Sequence, residues 1–286
     1  MGATTSTTTS TLSTLTTTQI DSFTPYTHYA SAGYCNPSTT LSWTCGADCE
    51  ANSDFIPVAS GGDGSDVQYW FVGYDPTLST VIVSHQGTNV DTILPIITDA
   101  DFFLTPIDTS LFTTVNSGVY VHNGFATEQA KTATNVLAAV QTAMSSYSST
   151  TVTVTGHSLG AAISLLDALY LSIQLPNAMV NFVGYGLPRV GNQAFANLID
   201  STLPDRVAHV NNEEDPVPIL PGEVLGFVHP SGEKHIMDNG SWVVCPGQDN
   251  DSTECSAGDV PTILEGNIED HDGPYNGVQM GSTCST

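Results

Sequence analysis

The stretch Thr150-Thr151-Val152-Thr153-Val154-Thr155-Gly156-His157-Ser158-Leu159-Gly160-Ala161-Ala162-Ile163 decides the fold. Over 150–155 Val alternates with Thr, the period of a strand. From 159 to 175 the chain is rich in Ala and Leu and halts before Pro176, as a helix does. Between them stands Gly156-His157-Ser158-Leu159-Gly160, a G-x-S-x-G. Alone the motif is weak; with a strand before it and a helix after it, it is specific. Sterics explain the spacing. A turn this sharp leaves no room two residues either side of the serine, and Gly156 and Gly160 supply the small residues, extended by Ala161 and Ala162. The expected result is Ser158 Oγ raised above the sheet, with a helix N-terminus aimed at a reacting carbonyl. His157 beside it is read as packing rather than chemistry, because neighbours on a sharp turn point apart.

Working outward, 180–185 and 206–210 read as the next strands. Residues 125–147 read as a helix with Ala133, Val136, Leu137, Val140, Met144 and Tyr147 on one face. Runs 67–74 and 80–84, joined by Asp75-Pro76-Thr77, read as a hairpin. Strand, helix and strand in alternation predict a mostly parallel central sheet with helices on its faces. Gly61-Gly62-Asp63-Gly64-Ser65-Asp66 matches one calcium-binding nonapeptide unit, but such units need stacked copies, so a glycine-rich turn is expected.

Composition sets limits. The 286 residues hold 4 Lys+Arg against 29 Asp+Glu, a net charge of −25. Four cations cannot build a phosphate-binding face, so no nucleic-acid partner is expected. An anionic membrane surface would repel the chain, and no apolar run reaches spanning length, so no stable membrane insertion is expected. A hydrophobic share of 40% excludes a wholly disordered acidic chain. The six cysteines lie toward the two ends and form no C-x-x-C, which suits disulfides of an exported protein rather than a metal site. The sequons at Asn239 and Asn250 fit a secreted, extracellular glycoprotein. No signal h-region is present, which gives the expectation of a chain that begins after cleavage. Residues 3–18 are almost all Thr and Ser, so 1–19 are expected to be a disordered tail and 20–286 a single domain.

A nucleophilic serine needs a base and an orienting acid, which on such a sheet follow it in the order acid, then histidine. Asn212-Glu213-Glu214-Asp215-Pro216-Val217-Pro218 follows the strand at 206–210, at the sheet edge where active sites gather. Composition alone separates neither Asp215 from Glu213 and Glu214, nor His271 from His235.

The sequence resembles the secreted fungal triacylglycerol lipases (lipase class 3), relatives of the feruloyl esterases. The likeness runs from about Phe23 to Cys284. It rests on the Gly156–Gly160 elbow and on Tyr185-Gly186-Leu187-Pro188-Arg189-Val190-Gly191-Asn192. It rests also on Asp215-Pro216-Val217-Pro218-Ile219-Leu220-Pro221, on Asp270-His271-Asp272-Gly273-Pro274-Tyr275 and on His122-Asn123-Gly124-Phe125. Two departures stand out: Ala161 where a Gly is common, and polar residues after His271. The resemblance implies an α/β-hydrolase fold and a carboxylic ester hydrolase, a lipase, with a feruloyl or other soluble-ester esterase as the alternative. It selects Ser158, Asp215 and His271 as the triad, with no cofactor or metal.

Within His85-Gln86-Gly87-Thr88 the resemblance assigns Thr88, with the N–H of Leu159, to the oxyanion hole, and His85 is read as support, as is His122. It places a lid directly after Thr88, over 89–98, whose apolar Val90, Ile93, Leu94, Ile96 and Ile97 would meet substrate. It implies the pairings Cys35–Cys284 and Cys45–Cys49, leaving Cys245–Cys255. The expected partner is a lipid or ester at an interface, and the expected state is a monomer.

Overall fold

The Val/Thr strand lies inside a nine-stranded sheet. In this computed structural model, which describes residues 11–88, 93, 103–281 and 284, the strands are β1 (Ser13–Thr14), β2 (Ile56–Gly61), β3 (Trp70–Asp75), β4 (Thr80–His85), β5 (Leu104–Pro106), β6 (Tyr120–His122), β7 (Thr151–His157), β8 (Met179–Tyr185), β9 (Gly191–Asn192), β10 (Val207–Asn212), β11 (Phe227–Val228), β12 (Glu233–Ile236) and β13 (Trp242–Val244). The large sheet runs β1-β13-β12-β10-β8-β7-β4-β3-β2. Its centre, β12-β10-β8-β7-β4, is parallel, and both margins are antiparallel. The remaining four strands form a small sheet, β11-β9-β6-β5.

Alternation along the strands sorts the core into two faces. Val81, Val83, Val152 and Val154 point to one side, where they meet the long helices. The neighbouring Phe71 and Ile82 point to the other, where Tyr29, Ala32 and Phe55 cover them. The N-terminal helices are α1 (Thr17–Asp21), α2 (Thr24–Ala32), α3 (Pro37–Ser42) and α4 (Ala47–Ala51). They are followed by α5 (Asn123–Tyr147), α6 (Leu159–Gln174) and α7 (Gln193–Thr202). Helix α6 is buried from Leu159 to Leu171, as its lack of polar periodicity requires. Helix α5 buries the stripe holding Ala133, Val136 and Val140. None of the helices among the described residues is long and apolar enough to cross a membrane.

The observed strands extend or trim the expected ones. β7 continues through Gly156 and His157, and β10 reaches Asn212. β3 begins only at Trp70, because Asp63 Oδ1 accepts the N–H groups of Ser65, Asp66 and Val67 and holds that stretch in a turn. That bonding also spends the carboxylate locally, as the glycine-rich-turn reading expects.

One expectation is corrected. Residues 11–19, placed in a disordered tail, are structured. β1 pairs with β13, Leu12 and Leu15 pack on buried clusters, and Thr16 forms a capping box with Gln19 at the start of α1. A Thr/Ser-rich strand needs little hydrophobicity of its own when an existing sheet edge supplies its backbone partners. Residues 1–10 lie outside the described ones. The three disulfides are Cys35–Cys284, Cys45–Cys49 and Cys245–Cys255, as the resemblance implies.

Candidate active site

Ser158 sits between β7 and α6 at φ 59° and ψ −127°, outside the comfortable regions for a residue with a Cβ. Such a conformation costs of order 1–3 kcal/mol and persists only where neighbours enforce it. The neighbours here are backbone. A Cβ on Gly156 would come 2.5 Å from the Gly160 carbonyl oxygen, and one on Gly160 would come 2.3 Å from that of His85. A Cβ on Gly184 would come 3.3 Å from the Ala161 Cβ, so glycine at 184 leaves room for the alanine that departs from the usual glycine. The Ser158 N–H donates to Tyr185 O at 2.9 Å, which clips the elbow to the next strand.

The candidate acid and base come from two loops at the same end of the sheet. Asp215 follows β10, and His271 lies in a 3-10 helix, Ile268–Asp272. His271 Nδ1 and Asp215 Oδ2 are 2.8 Å apart, both side chains buried. Asp215 Oδ1 accepts the Val217 N–H at 2.8 Å, so the carboxylate is held at both oxygens. The loops are stitched to each other. Asn212 Nδ2 donates to Asp270 O, the Glu214 N–H to Asp270 Oδ2, and the Asn267 N–H to Glu214 O. Asp270 is thereby a strut at the edge of the site, and burial raises its pKa.

With the Nδ1 proton directed at Asp215, His271 Nε2 carries the basic lone pair. Its ring rests on Gly186: a Cβ there would come 2.8 Å from His271 Cε1, and Gly186 adopts φ +53°. The Ser158 N–H is bonded to the carbonyl of the residue before Gly186, so one short stretch, Tyr185–Gly186, lies against both the serine turn and the imidazole. Neither Ser158 Oγ nor His271 Nε2 has a hydrogen-bond partner among the described residues. In a ligand-free site this contact is commonly loose and tightens with substrate.

His157 is buried and does more than pack. Its Nε2 donates to the main-chain oxygen of His271 at 2.8 Å, and its Nδ1 accepts from Tyr34 OH at 2.6 Å. Burial, and then the nearness of His271, push its pKa well below the ordinary histidine value, so the ring is neutral and holds this tautomer. Tyr275 OH also donates to the His271 carbonyl, at 3.1 Å. Tyr34 had no signal in the sequence. It comes from the turn after α2, next to Cys35, and only the fold brings it under the elbow.

Beyond β4, Gln86 extends the ladder with Tyr69 by its backbone N–H and its side-chain oxygen. Gly87 follows, where a Cβ would meet Tyr34 OH at 2.1 Å and His157 O at 2.5 Å. Only glycine lets this loop lie flat on the elbow, and Thr88 comes next. Leu159, the first residue of α6, has an N–H without an intrahelical acceptor. His85 is fully buried with Nε2 2.7 Å from Asp167 Oδ2, and Gln129 donates to the other oxygen of Asp167. His122 caps α5 through the Phe125 N–H and stacks on that ring.

His235 has both ring nitrogens on main-chain oxygens, of Glu213 and Glu254, and Glu214 is exposed. Of the apolar lid candidates, Ile93 is buried in the main core cluster. Val90, Leu94, Ile96 and Ile97 lie outside the described residues. Glu233 and the sulfurs of Cys245 and Cys255 sit together, but both sulfurs are joined in a disulfide and offer no thiolate to a metal.

A serine on a strand–turn–helix elbow of a mostly parallel sheet, with a histidine and an aspartate on later loops, defines an α/β-hydrolase. Residues 82–225 match the family model for lipase (class 3). Among curated relatives, a secreted mono- and diacylglycerol lipase 3 of Gibberella zeae is 35% identical over 238 residues, 78% of this chain and 71% of that protein. The secreted mono- and diacylglycerol lipase MDL2 of Malassezia globosa is 33% identical over 205 residues, 71% of this chain and 66% of that protein. The chain thus spans about two thirds of the length of MDL2. Among solved structures, the Rhizomucor miehei triacylglyceride lipase superposes with a TM-score of 0.80 at 29% identity, covering 95% of this chain and 99% of that one. The chain belongs to the class 3 lipases.

Proposed function

We propose that this protein is a secreted serine lipase that cleaves acylglycerol esters through an acyl-enzyme on Ser158. The observation that supports the reading is the buried His271–Asp215 pair at 2.8 Å, which engages Nδ1 and leaves Nε2 of the imidazole unbonded among the described residues, as Ser158 Oγ is. His271 Nε2 takes the hydroxyl proton as Ser158 Oγ adds to the ester carbonyl, and Asp215 stabilises the imidazolium that results. The Thr88 and Leu159 N–H groups receive the developing oxyanion. The tetrahedral intermediate collapses, the alkoxide leaves with the proton from His271, and the acyl group stays on Ser158. A water molecule, deprotonated by His271, then releases the fatty acid.

The relatives named above are called mono- and diacylglycerol lipases, which supports partial glycerides as substrates. The uncharged character of such esters also suits a protein of net charge −25. The test is a substrate panel of p-nitrophenyl esters, emulsified mono-, di- and triacylglycerols and methyl ferulate, run with Ser158→Ala alongside. That variant should lose on the order of 10⁶ in kcat by analogy with serine hydrolases of other folds. Near-normal turnover in it would defeat the assignment. Preference for methyl ferulate would move the enzyme to the esterases.

A further inference from the structure

The two loops that carry the acid and the base also carry the most exposed apolar side chains of the described structure. Val224 is 97% and Leu225 65% exposed on a single 3-10 turn, Glu223–Leu225, a few residues beyond Asp215. Leu264 is 92% exposed, with Ile263 beside it, a few residues before His271. These tips are neighbours in space. Val224 and Ile263 line one cavity of about 330 Å³ whose walls include Ile219, Leu220 and Val260. Gly226 abuts Leu104, and the adjacent Phe103 is also exposed.

Water-facing leucine and valine at loop tips are an expense that a soluble surface normally avoids, and a contiguous set marks a docking face. Charge selects the partner. The tips are flanked by the carboxylates of Glu223 and Glu265, and the nearest cation, Arg189, is buried and bonded to Asp249 and Glu223. Such a rim is repelled by anionic headgroups and has nothing to grip them with.

We infer that Val224, Leu225, Ile263 and Leu264 form an insertion rim that seats the protein on the surface of uncharged acylglycerols, separately from the 89–98 segment. The inference rests on the lipase reading. It adds that the segments positioning Asp215 and His271 also place the site against the oil phase, so that docking and the catalytic groups share two loops.

The experiment measures binding of the full chain to an emulsion of a trialkyl glycerol ether, uncharged and not hydrolysable. It is paired with turnover of a monomeric, water-soluble p-nitrophenyl ester. Val224→Ser, Leu225→Ser and Leu264→Ser combined should weaken droplet binding on the order of 10²-fold and leave soluble-ester kcat/KM within about twofold. Leu264→Asp alone, at a nearly fully exposed position, should weaken binding in the same direction and guards against misfolding of the triple variant.

Unchanged droplet binding overturns the inference. So does tighter binding to phosphatidylglycerol vesicles than to droplets, and so does an equal loss on the soluble ester. Self-association that disappears in the triple variant would give the rim to a second copy instead. Failure of the lipase reading would show differently, as no Ser158-dependent ester hydrolysis in the unaltered protein.

Discussion

His157 Nε2 donates a 2.8 Å hydrogen bond to the main-chain oxygen of His271, so the residue before the proposed nucleophile holds the backbone of the proposed base. The imidazole of His157 is itself set by Tyr34 OH at 2.6 Å. Serine turn and base therefore share one brace, and the same tyrosine hydroxyl underlies Gly87 in the oxyanion loop.

Replacing His157 by Phe should accordingly impair turnover more than binding. A small misplacement of a catalytic group costs roughly 10- to 100-fold in rate. The expected outcome is a fall in kcat of that size with KM nearly unchanged on a soluble ester. Tyr34→Phe leaves His157 Nδ1 without its donor, and should give a weaker version of the same pattern plus a stability loss of about 1–3 kcal/mol. Steady-state kinetics and urea titration separate the two effects. A parallel rise in KM would point to a substrate contact instead.

Asp215→Asn should keep the fold and lose activity. An amide in place of the carboxylate can direct His271 into the wrong tautomer and cannot stabilise the imidazolium. By analogy with triads on other folds, the loss in kcat should be on the order of 10⁴. If Glu213→Gln or Glu214→Gln produced a comparable loss, the acid would be misassigned.

Gly160→Ala should destabilise the protein as well as slow it. The new Cβ would lie 2.3 Å from the His85 carbonyl oxygen, which belongs to the strand end leading to Thr88. Overpacking of this kind typically costs about 1–3 kcal/mol, and here the relief pushes on the oxyanion loop. The measurements are the urea midpoint and kcat, both of which should fall.

Acid should destabilise the fold through two stacked histidines. His209 and His229 lie 4.9 Å apart, and burial pushes both pKa values down to about 3. Above the unfolded value of about 6.5 neither state carries the proton, and stability is insensitive to these rings. Below it the unfolded chain binds protons that the native chain refuses, so stability falls between about pH 6.5 and pH 3. One such ring accounts for about 3 kcal/mol between pH 6.5 and pH 4. His229 Nε2 donates to Pro218 O, in the loop that begins at Asp215, so His229→Gln should flatten the pH dependence of the urea midpoint.

The elbow was legible because its cause is local. Sterics at Gly156 and Gly160 act over a few residues and leave a spacing behind. The loop after β10 was legible as a region, yet which of three adjacent acids faces His271 depends on Glu213 at φ 45° and Asp215 turned inward, which no spacing records. The brace of Tyr34 and His157 spans 123 positions and exists only after the sheet has formed. The same holds for His85 and Asp167, 82 positions apart. The N-terminal strand at 13–14 was missed for a different reason: its stability comes from the edge of β13, not from its own composition.

All four cations are committed to main-chain oxygens. Lys131 donates to Asp66 O, Lys234 to Gly232 O, and Arg206 to Val180 O and Thr202 O. Arg189 donates to Ile219 O and Pro221 O. Each is thus a clamp inside an element or between two. A trypsin-like protease, which cuts after Lys and Arg, would meet four sites in 286 residues and find none of their side chains unengaged. With so few such residues, all of them bonded within the fold, a protease of that specificity has few places to act on the folded chain.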